Sequence, residues 1–118
     1  MSGSYLDETD ITAARAIGLV AEGTAWLLDV REGVEWDAGH APNAHHIPLH
    51  ELAERQHELP EHEQILVICH VGERSALVRD ALLRADYPAA NVTGGMVAWA
   101  AGGGPVVTGH GIMDAGGA

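Results

Sequence analysis

Apolar residues along this chain fall into short runs separated by glycine, proline and charged residues, and their spacing alternates between that of helices and that of strands. Residues 10–21 carry apolar positions at helical spacing, with Asp10 as a cap and Glu22-Gly23 as a stop, which predicts a helix. The run Trp26-Leu27-Leu28-Asp29-Val30 predicts a buried strand that ends in Arg31-Glu32-Gly33. A short helical turn follows over 35–39. His45-His46-Ile47-Pro48-Leu49 predicts an extended segment, with Pro48 marking a sheet edge or exit. A further helix is expected over 50–59, ended by Pro60. Ile65-Leu66-Val67-Ile68 is the most apolar run and is expected to be the central strand.

Beyond it a helical pattern puts Leu77, Val78, Ala81 and Leu82 on one stripe, with Arg79, Asp80 and Arg84 toward water. A turn at Tyr87-Pro88, a brief strand over 91–93, a turn at Gly94-Gly95 and a short helix over 96–101 carrying Trp99 complete the series. Strands alternating with helices predict an α/β domain with a mostly parallel sheet. In such sheets sites form at the carboxyl ends of strands, so Asp29-Val30-Arg31 and Ile68-Cys69 are the ends to watch.

A length of 118 residues suits one core. The organisation expected is an extension over 1–9, a domain over 10–107, and a glycine-rich, loosely ordered tail over 108–118, with Pro105-Val106-Val107 able to dock. The formal net charge is −11, and all six cations are arginines. That balance argues against a nucleic-acid partner, which needs a basic patch, and obliges any anionic substrate to find a local positive field. No apolar stretch approaches the roughly 20 residues of a membrane span. The amino terminus is acidic and lacks the basic-then-apolar order of a secretory signal, so the cytoplasm is expected. A lone cysteine forms no intramolecular disulfide and stays free in a reducing compartment.

That cysteine, Cys69, carries the candidate chemistry. A free cysteine is usually a small buried hydrophobe, but this one stands at a strand exit, before the flexible segment His70-Val71-Gly72-Glu73-Arg74-Ser75 and the start of a helix. Backbone N–H groups without intrahelical partners point toward a sulfur placed there, at the positive end of the helix dipole, and favour the thiolate. Gly72 lets the backbone curl where a side chain would collide. Ser75 fits a helix cap, and its hydroxyl can also reach the sulfur. Eight histidines invite a metal reading, but Pro48 stands between His46 and His50 and breaks the helix that would align them. Solvated or hydrogen-bonding histidines are expected instead, with no metal and no organic cofactor, and Trp26, Trp36 and Trp99 are expected to be core or rim anchors.

Four stretches, in order, resemble the single-domain rhodanese family of sulfurtransferases. They are Asp29-Val30-Arg31-Glu32 with Glu35-Trp36, Gly39-His40-Ala41-Pro42-Asn43-Ala44-His45-His46-Ile47-Pro48, Cys69-His70-Val71-Gly72-Glu73-Arg74-Ser75, and Gly94-Gly95-Met96-Val97-Ala98-Trp99 with Gly104-Pro105-Val106. The resemblance implies a three-layer domain with helices flanking the central sheet. It implies that Cys69 accepts sulfur from thiosulfate or a persulfide, as a cysteine persulfide, and passes it to cyanide or a thiol. The segment from His70 to Ser75 and Arg31 would bind the substrate, and Asp29 would be a structural partner. Arg74 would bind an anion, brace the loop against a carboxylate, or do both.

Glu73 puts a negative charge in the loop, so a thiol or protein persulfide is expected to be a better donor than the thiosulfate dianion. A sulfur-accepting protein is a further candidate partner, and a relay or regulatory module acting on one protein is the alternative function. Phosphatase or arsenate-reductase chemistry is a minor alternative. Related phosphatases resemble C-x5-R, whereas the spacing here is C-x4-R, a tighter ring better matched to sulfur.

Overall fold

Four consecutive apolar residues need cover on both faces, and in the computed structural model, which describes residues 5–109, Ile65–Ile68 lies fully buried at the middle of a five-stranded sheet. In chain order the elements are β1 (Asp10–Thr12), α1 (Ala13–Ala21), β2 (Trp26–Asp29), α2 (Gly33–Ala38), β3 (His45–His46), 3₁₀ turns at Leu49–Glu51 and Gln56–Glu58, β4 (Ile65–Ile68), α3 (Glu73–Arg84), β5 (Ala89–Thr93) and α4 (Gly95–Ala101). The strand order is β1-β5-β4-β2-β3, and every pairing is parallel. Asp29 of β2 is in register with Ile68 of β4, so the two strand ends singled out in the sequence are neighbours.

Because successive strand residues face opposite sides, β4 feeds two cores. Leu66 and Ile68 join Ala16 and Val20 of α1 and Met96 and Trp99 of α4. Ile65 and Val67 join Val78 and Leu82 of α3, and Cys69 continues that side. The three layers are therefore helices, sheet and helices. Among the described residues no helix is long and apolar enough to cross a membrane.

Three local expectations are corrected. Residues 10–12 are not helical: they form edge strand β1 on β5, burying Ile11, and the cap of α1 is Thr12, whose Oγ accepts the Arg15 N–H at 3.1 Å. Residues 50–59 form no continuous helix, only the two 3₁₀ turns. Arg55 leaves helical dihedrals there (φ −111°, ψ 18°), and its guanidinium ties Glu51, Glu58 and the His46 carbonyl together. On α3 the buried face is Ser75, Val78 and Leu82, whereas Leu77 is 64% exposed and Ala81 faces solvent. Arg79, expected in water, lies largely covered and binds Asp10 and the Thr9 carbonyl, tying α3 to the edge strand.

Past α4, the Trp99 indole N–H donates to the Pro105 carbonyl and Val107 pairs antiparallel with His40, so the 105–107 segment is docked. Residues 1–4 of the expected extension and 110–118 of the expected tail lie outside the described residues.

Candidate active site

Cys69 follows the last residue of β4, on the side of the sheet that faces α3, and so its side chain meets the first turn of that helix. Gly72 makes the approach possible: at φ +107° it adopts a left-handed turn that brings the chain around the sulfur. Sγ accepts hydrogen bonds from the Gly72 N–H at 3.1 Å and the Ser75 N–H at 3.3 Å, and the Ser75 hydroxyl oxygen lies 3.2 Å away. The residue is only 1% exposed, yet its sulfur faces donors while the rest of it packs with Val67 and Val78. Burial by itself pushes the thiol up. The Ser75 hydroxyl and the N–H groups of Ser75, Gly72 and Arg74 outweigh it and hold the thiol below its ordinary value.

The loop is held from two sides. From α4, the Met96 N–H donates to the Cys69 carbonyl at 2.7 Å and the Val97 N–H to the His70 carbonyl at 3.1 Å. These bonds take up the carbonyls of Cys69 and His70. From α2, Glu35 receives Arg74 in a bidentate pair at 2.7 and 2.9 Å. The same Glu35 carboxylate accepts the Glu32 N–H at 2.9 Å in a capping box, and its position is thereby fixed by its own helix. α2 is in turn steadied by Trp36, whose ring stacks with those of His40 and His46 at centroid distances of 3.6 and 4.5 Å. Both histidines have assigned work, because a carbonyl only accepts: His40 Nδ1–H donates to the Trp36 carbonyl and His46 Nε2–H to the Arg31 carbonyl.

Of the residues proposed from sequence, Cys69, Gly72 and Ser75 come together around the sulfur, and Arg74 adds its backbone N–H while its side chain braces. His70, Val71 and Glu73 face solvent at the rim. Arg31 and Asp29 form a buried fork: Nε and Nη2 meet the carboxylate at 2.8 to 3.1 Å, and Nη2 also donates to the Gly39 carbonyl. Two contributors escaped the sequence reading. Glu35 entered only as part of a motif: its capping box forms with a glutamate, Glu32, at the cap position, outside the Ser/Thr/Asp/Asn signature that marks such a box in sequence. Asn91 carried no local signal, yet its Oδ1 accepts the Ser75 hydroxyl at 2.5 Å.

The family model for the rhodanese-like domain matches residues 12–102. The chain belongs to the rhodanese-like domain family. Within it, the chain is 34% identical to a rhodanese-related protein from Thermoplasma volcanium, whose crystal structure superposes with a TM-score of 0.78 over 83% of this chain and 96% of that one. A protein named "Sulfurtransferase" from Allochromatium vinosum is 33% identical over 86 residues, covering 72% of this chain and 80% of that protein. A Bacillus subtilis protein named "Putative sulfur carrier protein YrkF" is 39% identical over 74 residues, 62% of this chain, and the match spans 40% of that longer protein. The rhodanese-like fold thus accounts for all three layers and for the loop that Cys69 opens.

Proposed function

We propose that the protein is a sulfurtransferase that carries sulfur as a persulfide on Cys69. The observation that carries this reading is the ring of donors at Sγ, because both the attacking thiolate and the loaded persulfide are anions that a neutral amide ring stabilises without a lysine. In the first half-reaction Sγ attacks the outer sulfur of the donor. An Sγ–S bond forms, and the donor's S–S bond breaks with its electron pair on the departing thiolate, or on sulfite when the donor is thiosulfate. In the second, an acceptor thiolate or cyanide attacks that outer sulfur, and the electron pair of the breaking bond returns to Cys69. No outside oxidant or reductant is needed.

The preferred donor is a thiol or protein persulfide. Both arginines near the loop are spent on carboxylates, Arg74 on Glu35 and Arg31 on Asp29, and this leaves little positive charge for a dianion. The same pairing weighs against phosphate-ester chemistry, which calls for a guanidinium free to hold a tetrahedral oxyanion. Cys69 is the catalytic residue, the loop from His70 to Ser75 binds the sulfur being moved, Arg74 braces that loop against Glu35, and Asp29 holds Arg31 against the Gly39 carbonyl beside it.

A relay role toward one protein partner is the second reading. It is favoured by exposed apolar side chains near the loop: Val71 is about half exposed, and Val97, also about half exposed, lines a groove with Met96, Ala100 and Val106 together with the polar Arg31, Glu35 and His70. Intact-protein mass spectrometry after exposure to thiosulfate or an alkyl persulfide tests the main reading. A gain of one sulfur atom, absent in Cys69→Ser and removed by cyanide or small thiols, is expected. Loading that only a protein acceptor can discharge would favour the relay, and no loading by either donor would refute both.

A further inference from the structure

Behind the sulfur lies a chain of side chains whose hydrogen-bond polarity is fixed from its far end. Arg79 Nη1 donates to Asp10 Oδ1 at 2.7 Å, and Asn91 Nδ2 donates to the same oxygen at 3.1 Å. An ionised carboxylate only accepts, so the Asn91 amide must present its nitrogen to Asp10 and its oxygen inward. That oxygen lies 2.5 Å from Ser75 Oγ, and Ser75 Oγ lies 3.2 Å from Cys69 Sγ.

The Ser75 hydroxyl has one hydrogen and two acceptors. At 2.5 Å two oxygens cannot face each other without a proton between them. With the hydrogen on the Asn91 side, Ser75 turns a lone pair toward the sulfur and accepts from a neutral thiol S–H, or lies beside a persulfide whose charge sits one atom further out. A bare thiolate needs the opposite arrangement, with the hydroxyl turned to Sγ and the Asn91 contact loosened. We propose that Asn91 is a positioning residue that sets the direction of the Ser75 hydroxyl, toward Asn91 while Cys69 carries a proton or a sulfur atom and toward Sγ only when the thiolate is bare. Asn91 thereby favours the resting and the loaded forms over the reactive one between them. The inference rests on the sulfur-transfer reading for its purpose, but the proton placement stands on the geometry alone. The other charged groups close to the loop, Arg74 with its partner Glu35, Arg31 with its partner Asp29, and the rim residues His70 and Glu73, lie outside this chain and are left intact by the variants below.

The consequence runs against ordinary intuition for a buried polar contact. Asn91→Ala is expected to lower the thiol midpoint of Cys69, read from thiolate absorbance and from the pH profile of iodoacetamide alkylation, by about one pH unit. Asp10→Ala, on an exposed side chain, frees the amide to rotate and is expected to shift the midpoint the same way by a smaller amount. In a Ser75→Ala background neither change should move the midpoint, whereas a direct charge effect of Asp10 would persist there. A midpoint that stays or rises in Asn91→Ala, or in Asp10→Ala should the first variant fail to fold, overturns the proposal. So does a downward shift that survives in the Ser75→Ala background. Alkylation reports on Cys69 even if the chain moved no sulfur, which keeps this test separate from the loading experiment.

Discussion

A buried sulfur is costly to ionise, and the residues around Cys69 show how the cost is offset without a neighbouring lysine. Each donor is weak alone, but several act on one nearly buried atom. The donors stay in place because Arg74 is clamped. Its hydrogen bonds to Glu35 hold that carboxyl at about 2, against the opposing effect of burial and with help from the Glu32 N–H. A folded-state value below the unfolded one means the contribution is complete above about pH 4.5 and is lost as the pH falls toward 2. Glu35→Gln is therefore expected to cost about 1 kcal/mol at pH 7, the pair being partly exposed, and to flatten the loss of stability between pH 5 and 2. Urea unfolding of both proteins across that range checks this, and parallel profiles would contradict it. At this scale the cysteine was legible from sequence because a strand exit places it, and Gly72 because only a curled loop needs it. Asn91 was not, since its partner Ser75 is sixteen positions away and only the fold joins them.

Helix α4 acts on the site through its first turn. Gly95 sits at φ +56° directly against the carbonyls of Cys69 and His70, and an added Cβ would overlap both. Gly95→Ala is expected to push the loop off the Met96 and Val97 N–H groups, to cost about 1–3 kcal/mol in stability, and to move the alkylation profile of Cys69 upward by about one pH unit. An unchanged profile in the folded variant would show that α4 merely packs behind the loop. Elements with dense apolar runs, β2 and β4, were readable in the sequence. β1 was not, because three residues beside a helical pattern carry no periodicity of their own and become a strand only when β5 supplies the ladder. The segment over 50–59 misled for the opposite reason: its composition suits a helix and Arg55 pairs with Glu51 and Glu58 at helical spacing, yet the backbone leaves helical dihedrals at Arg55.

Across the whole molecule, a net charge of −11 sets a repulsive field for any anionic donor. Screening length falls from about 30 Å at 0.01 M salt to about 8 Å at 0.15 M. Turnover with thiosulfate at subsaturating concentration is thus expected to rise severalfold over that range, while an alkyl persulfide with no other charge responds less and remains the better donor. Saturation by thiosulfate at low micromolar levels, indifferent to salt, would count against this. The charge was plain in the sequence, as was the α/β class. The order of strands was not, because neighbouring in a parallel sheet is decided by crossovers that leave no local mark.

The placement of Cys69 one step past β4 ties the chemistry to counting. Residues 65, 67 and 69 share a side because the pleat repeats every two positions. Inserting or deleting a single residue within that strand would leave an equally apolar run and a sheet that still pairs. It would swing the thiol through the plane toward the α1 and α4 layer, away from every amide that welcomes it. Odd or even is the one property of β4 that its greasy composition does not protect.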